Sequence, residues 1–177
     1  WRMNTRRMES QIVRDSLLRL AGTLDPALGG PSVAVGSEGR RRSLYFTHSA
    51  QTQDKFLTMF DDADLLQCYR RQQSIVPQQA LALANSKLSM TMAGEVAARL
   101  FEQHPSSDQS AFVDSAFEAI LGRAASIDEQ QACLDFCDQL RTILEQDQSV
   151  AADQRDARIR TRLVHSLINH NDFVSIR

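Results

Sequence analysis

The sequence predicts a mainly α-helical protein: an irregular, loop-rich N-terminal half with at most one short strand, followed by a helical bundle. Three observations carry that prediction. Apolar residues recur at helical spacing through most of the long segments. Capping-box patterns, Ser106 with Gln109 and Ser126 with Glu129, open two periodic stretches near the C-terminus. Between the first helix and the central region lies a stretch rich in glycine and arginine, with one strand-like run. The expected division is 1–104, a helix with Gly/Arg-rich loops and a central helix, and 105–177, a three-helix unit packed with the first part as one domain.

In chain order, residues 4–23 read as an amphipathic helix. Val13, Leu17, Leu20 and Leu24 mark its apolar stripe, which Met8 and Ile12 widen. Arg6, Arg7, Arg14, Asp15 and Arg19 fall elsewhere on the wheel, and Asp15 with Arg19 forms a well-oriented i,i+4 pair. Gly22 and the step from Asp25 to Pro26 end the helix. The Leu28-Gly29-Gly30-Pro31-Ser32-Val33 loop reads as a structural crossover, because no strand precedes it and no Gly-Lys-Ser/Thr follows. Arg40-Arg41-Arg42 leads into Ser43-Leu44-Tyr45-Phe46-Thr47, the strand-like run, whose partner must lie elsewhere.

A short helix is expected over 53–60, then the carboxylates Asp61, Asp62 and Asp64. The loop lacks the glycine and terminal Glu of an EF-hand, so pairing of Asp61 with a nearby arginine is preferred to calcium. Arg70 and Arg71 precede a helix start at Ser74 and Pro77; the Ala/Leu run continues to about residue 84, breaks at Asn85-Ser86 and resumes to about 103. After the His104-Pro105 linker come three helices: one ending at Gly122, one to about 146 carrying Cys133 and Cys137, and one over 151–169 with Arg155, Arg158, Arg160 and Arg162 on its polar side.

Apolar residues at 42% and charged residues at 24% describe an ordinary globular chain. No apolar run approaches the roughly 20 residues of a membrane span. The net charge of −2 divides into +3 over residues 1–75 and −5 over 76–177. Neither half carries the basic field that nucleic-acid binding needs, and the acidic second half disfavours a helix-turn-helix reading. The chain opens at Trp1 rather than Met, which reads as a fragment or a processed product.

No metal motif is present: the four histidines show no i,i+4 pair, and Cys133 and Cys137 lie on a leucine stripe as core thiols. There is no C-x-x-C-H and no G-x-S-x-G. The polar constellation that remains is Arg14, Asp15, Arg41, Arg42, Asp61, Arg70 and Arg71, with Arg6 and Arg7 nearby. One reading makes it an ion-pair network locking loops onto the first helix; the other makes it a pocket for a sulfate, carboxylate or anionic glycan. The network is preferred, because irregular loops need side-chain partners for their backbone groups. The stretch from Arg70 to Asn85 then acts as a clasp between the first helix and the central loops.

The ordered residues resemble a known family. They run Arg6-Arg7, Arg14-Asp15-Ser16-Leu17-Leu18, Leu24-Asp25, Gly29-Gly30-Pro31-Ser32-Val33, Arg41-Arg42-Ser43-Leu44-Tyr45, then Phe60-Asp61 with Asp64. They continue through Arg70-Arg71, Ser74, Pro77, Gln79-Ala80-Leu81, Asn85-Ser86, Leu121-Gly122-Arg123 and Leu167-Ile168-Asn169 to Asn171 and Phe173. This series is similar to the C-terminal part of the planctomycete-specific PSD domain, the domain of unknown function fifteen-fifty-three. The chain departs from the family pattern at Asp62-Ala63-Asp64, at Lys87 and at Ala124-Ala125, where prolines are usual.

The resemblance implies a module of a large exported bacterial protein, extracytoplasmic (periplasmic or secreted), with no cofactor in this chain and a c-type haem elsewhere in the parent polypeptide. It implies other domains of that polypeptide as partners, and a sulfatase- or phosphatase-like neighbour protein. It establishes no activity. The expected function is a non-catalytic structural or interaction module. The alternative is part of a glycan-processing or oxidoreductive enzyme that holds an anionic substrate, sulfated or carboxylated, with the arginines.

Overall fold

The computed structural model describes residues 6–35, 39–49, 51–62, 77–103, 105, 108–147 and 149–176. Cys68, Arg70, Arg71, Ser74, Asp64, His104 and Ser106 lie outside them. Of the described residues 66% are helical, and they form one short two-stranded sheet, so the mainly-α class holds. No helix among the described residues is long and apolar enough to cross a membrane. The chain divides into two compact units, residues 1–86 with 174–177, and residues 87–173.

In the first unit, strand β1 (Arg6–Arg7) pairs antiparallel with strand β2 (Ser175–Ile176), Arg6 opposite Ile176 and Arg7 opposite Ser175. The Met8 amide extends the ladder to the Val174 carbonyl at 2.8 Å. Helix α1 is Ser10–Leu20, shorter at its start than expected, because Arg6 and Arg7 are drawn into the sheet. Its inward face also differs from the sequence stripe. Val13, Leu17, Leu18 and Ala21 are buried, whereas Ile12 is exposed. The face is turned by the polar side chains Ser10 and Arg14, both buried, which the loops cover.

Ser43–Tyr45 forms a 3-10 turn rather than the expected strand. The Asp15 carboxylate accepts both the Ser43 amide, at 2.8 Å, and the Ser43 hydroxyl, at 2.6 Å, and curls the chain there. Immediately after it, Phe46 makes an isolated parallel bridge to Val33, so the partner of this run is the glycine loop. Helix α2 (Lys55–Met59) begins at Asp54, whose side chain caps the amides of Phe56 and Leu57. Phe56 and Phe60 stack with centroids 5.0 Å apart. Helix α3 (Pro77–Asn85) turns Gln79, Ala82 and Leu83 inward and packs on α2, and α2 packs on α1.

The second unit holds helices α4 (Lys87–Gln103), α5 (Gln109–Leu121), α6 (Ile127–Gln146) and α7 (Ala152–Ile168). Its core joins Ala93, Val96 and Ala97 of α4 to Val113, Ala116 and Phe117 of α5 and to Leu163, Val164 and Ile168 of α7. Asp108 caps α5, accepting from the Ser110 amide at 3.0 Å, one residue before Gln109. Gly122 closes α5 in the left-handed region at φ 67°, as a C-terminal glycine should. The Ser126–Glu129 capping box is present in full. Helix α6 lies on the surface and fully buries only Cys137.

Candidate functional site: an arginine clasp on the first helix

The polar constellation is built on the side of α1 that faces the loops. Arg14 is one turn above Ser10 and next to Asp15, so guanidinium and carboxylate leave the same stretch of helix. The Arg14 side chain is 6% exposed. Its Nη1 donates to the Arg41 carbonyl at 3.0 Å and to the Ser43 hydroxyl at 3.2 Å, and its Nη2 donates to the Gly39 carbonyl at 2.6 Å. One face of the guanidinium lies 4.4 Å from the centroid of the Phe46 ring. Burial pushes the Arg14 pKa below its ordinary value, while Asp15 and Asp54 push it back up. The guanidinium keeps its charge, since arginine titrates far above neutrality.

Arg41 repeats the arrangement further out. It stacks 4.0 Å over Tyr45 and donates to the carbonyls of Pro31, at 3.1 Å, and Gly29. Gly29 and Gly30 have φ of 75° and 89°, a region closed to most side chains, and this lets the loop turn its carbonyls toward Arg41. The Tyr45 hydroxyl accepts from the Gly29 amide at 2.8 Å. The glycine loop, the Arg41 segment and α1 are thus stitched by arginine side chains in addition to the few backbone bonds, such as Val33 to Tyr45, that join the loops.

The other candidates sit at the margins. Arg42 is 45% exposed, with Nε 4.0 Å from Asp15 Oδ2. Asp61 stands in the left-handed region at φ 58° and accepts from the Gln79 side-chain amide at 3.1 Å. Arg70 and Arg71 lie outside the described residues. The structure therefore brings Arg14, Asp15 and Arg41 together with Ser43, and places Asp61 beside Gln79. The acceptors of Arg14 and Arg41 are mostly backbone carbonyls, because the glycine loop and the 39–43 segment leave carbonyls that no helix or sheet satisfies.

Several residues of this arrangement were not singled out from sequence. Ser43 is 4% exposed and Gln79 is 1% exposed. A glutamine at the spacing of Ala82 and Leu83, on the apolar face of α3, was the available signal. Gln11 donates to Asp62 at 2.5 Å, and His48 Nε2 lies 3.8 Å from the same carboxylate. In the second unit, Arg123 grips Glu129 through two bonds of 2.8 and 2.7 Å and reaches Asp172 at 3.1 Å. Those bonds raise the Arg123 pKa; together with the Ser126 amide they push Glu129 down to about 2. The position of Arg123 beside the C-terminal Gly122 and ahead of a capping box was its signature.

The donors of Arg14 end on the chain's own oxygens. One cavity of the first unit, lined among others by Gln11, Ser43, His48, Asp54 and Asp62, encloses about 100 Å³. Ligand pockets usually enclose about 300–1,000 Å³. Among the described residues no group of three or more His, Cys, Asp or Glu side chains is arranged to hold a metal ion.

These features define a mostly helical module in which arginine side chains, Arg14 buried and Arg41 half-buried, organise loop backbone. The family model PSD1, described as a protein of unknown function (DUF1553), matches residues 1–137, and the chain belongs to that family. No curated protein and no solved structure matches the chain.

Proposed function

We propose that the chain is a non-catalytic structural and interaction module of a larger exported, cytochrome-c-linked bacterial protein. The setting follows from what the family resemblance implies; the non-catalytic character rests on one observation. The donors of Arg14 end on the Gly39 and Arg41 carbonyls and the Ser43 hydroxyl, so the charge that could hold an anionic substrate is spent on the chain's own loops. In this reading the haem belongs to another part of the parent polypeptide, and the module works by packing against other domains of that polypeptide. A sulfatase- or phosphatase-like neighbour protein is a further candidate partner.

Cell fractionation of the producing bacterium tests the setting, with an antibody raised against this chain and a haem-peroxidase stain on the same blot. A haem-positive band outside the cytoplasm is expected. A cytoplasmic, haem-negative band would contradict the reading. Turnover of a sulfated polysaccharide that is lost on Arg42→Gln would instead favour an enzyme acting on an anionic glycan.

A further inference from the structure

The second unit contains a cavity of about 290 Å³ beside the first turn of α5, bounded by α4, α6 and α7. That is close to the lower end of the usual range for small-molecule sites, about 300 Å³. Its walls are mixed. Phe101, Phe112, Ile159 and Leu163 supply apolar surface, and Gln109, Arg141 and Arg160 supply donors.

Tracing the polar groups of this cavity leaves a surplus of donors. Arg141 donates to the Gln109 side-chain oxygen at 3.2 Å and lies 3.5 Å from Asp156 and 3.7 Å from Asp138, so its charge is matched. Asp108 caps the Ser110 amide. Because Arg141 can only donate, the Gln109 oxygen must face it, which fixes the orientation of the amide. The Gln109 nitrogen is then buried without an oxygen or nitrogen acceptor, its neighbour being the Cys137 thiol, a weak one. Arg160 stacks 3.9 Å over the Phe101 ring, and among the described residues no carboxylate or carbonyl accepts from it. A half-buried guanidinium held flat on an aromatic ring keeps its edge donors in one plane, suited to a carboxylate.

We propose that this cavity binds a small carboxylate with a flat apolar body. Its carboxylate pairs with the Arg160 edge and draws on the unmatched Gln109 amide, and its body lies against Phe112, Ile159 and Leu163. The site shares no residue with the clasp and stands or falls independently of the module reading.

The test is a titration of the ¹⁵N-labelled chain with benzoate, read at the side-chain amide signals of Gln109, with benzyl alcohol as the uncharged comparison. A saturable shift with benzoate is expected, at least tenfold weaker with benzyl alcohol and at least tenfold weaker for Arg160→Gln. Arg158→Gln, an exposed change on the same helix, should bind as the parent does. The amide spectrum of each variant reports directly whether it is folded. Absence of a saturable shift overturns the proposal, as does equal affinity for benzyl alcohol or for a folded Arg160→Gln chain.

Discussion

Replacing Arg14 with lysine separates a generic positive charge from the planar fork that the clasp uses. Arg14 makes three hydrogen bonds, to the Gly39 and Arg41 carbonyls and the Ser43 hydroxyl, and stacks on Phe46. Hydrogen bonds from a charged donor contribute about 1.5–3 kcal/mol each. Their plain sum overshoots, because bonds from one group are not independent. Disrupting a buried charged cluster costs about 3–5 kcal/mol in total, which is the figure expected for Arg14→Met. Lysine keeps the charge and one bond but cannot span acceptors on two separate loop segments, so Arg14→Lys should cost about 2–3 kcal/mol. Arg19→Lys, on the exposed side of the same helix, should stay within about 0.5 kcal/mol of the parent. Urea titrations followed by far-ultraviolet circular dichroism give the comparison, with the midpoint moving at constant slope. If Arg14→Lys and Arg14→Met both unfold with Arg19→Lys, the guanidinium is not the anchor of the loops.

Other positions give independent checks. Gly122→Ala should cost about 1 kcal/mol, a purely backbone penalty for a left-handed residue, since an added Cβ there meets nothing within 4 Å; calorimetry would read it as a lowered Tm. Glu129 has its pKa depressed to about 2 from an ordinary value of 4.5, with the Arg123 hydrogen bond the largest cause. A depressed carboxylate contributes stability that is present above the unfolded pKa and is lost as pH falls through the folded one. Stability should therefore decline as pH falls from 4.5 toward 2. The loss is about 1 kcal/mol once solvent screening of this partly exposed pair is allowed for, and Glu129→Gln should flatten that part of the curve. Burial pushes the Cys137 thiol up, and the residue is 1% exposed. Iodoacetamide should leave Cys137 unmodified in the native chain and label it in urea, as read by peptide mass spectrometry.

What the sequence made legible followed from local chemistry. The helix limits at Pro77, Asn85, Gly122 and Ser126 were written in residues that act on their own backbone, and they stand where capping and glycine rules put them. The 43–47 run departs from the expected strand for the opposite reason. Its Leu44-Tyr45-Phe46 run suits a strand, but a carboxylate from α1 bends it at Ser43, and Asp15 is 28 residues away in sequence. Arg6 and Arg7 look helical by periodicity, yet residues from the far end of the chain pair with them. Arg14, Asp15 and Arg41 were noticed because charge without an obvious partner is visible in a sequence. Their true acceptors, the carbonyls of Gly29, Pro31, Gly39 and Arg41, could not be, since a backbone oxygen carries no letter. Ser43 and Gln79 carry no sign of a structural role in the sequence, because single neutral polar residues are common everywhere and become informative only once buried.

The central claim is that Arg14 is anchored by the chain's own oxygens without a ligand. Amide hydrogen exchange at Ser43 tests it most directly, because that amide donates to Asp15 inside the clasp at 2.8 Å. Measured on the chain alone and with an excess of heparin as a sulfated polyanion, the Ser43 amide should be protected in both cases to the same degree, and should lose its protection in Asp15→Ala. Rapid exchange in the free chain that slows on adding heparin would contradict the account, and would mark these arginines as an anion site that is ordered by what it binds.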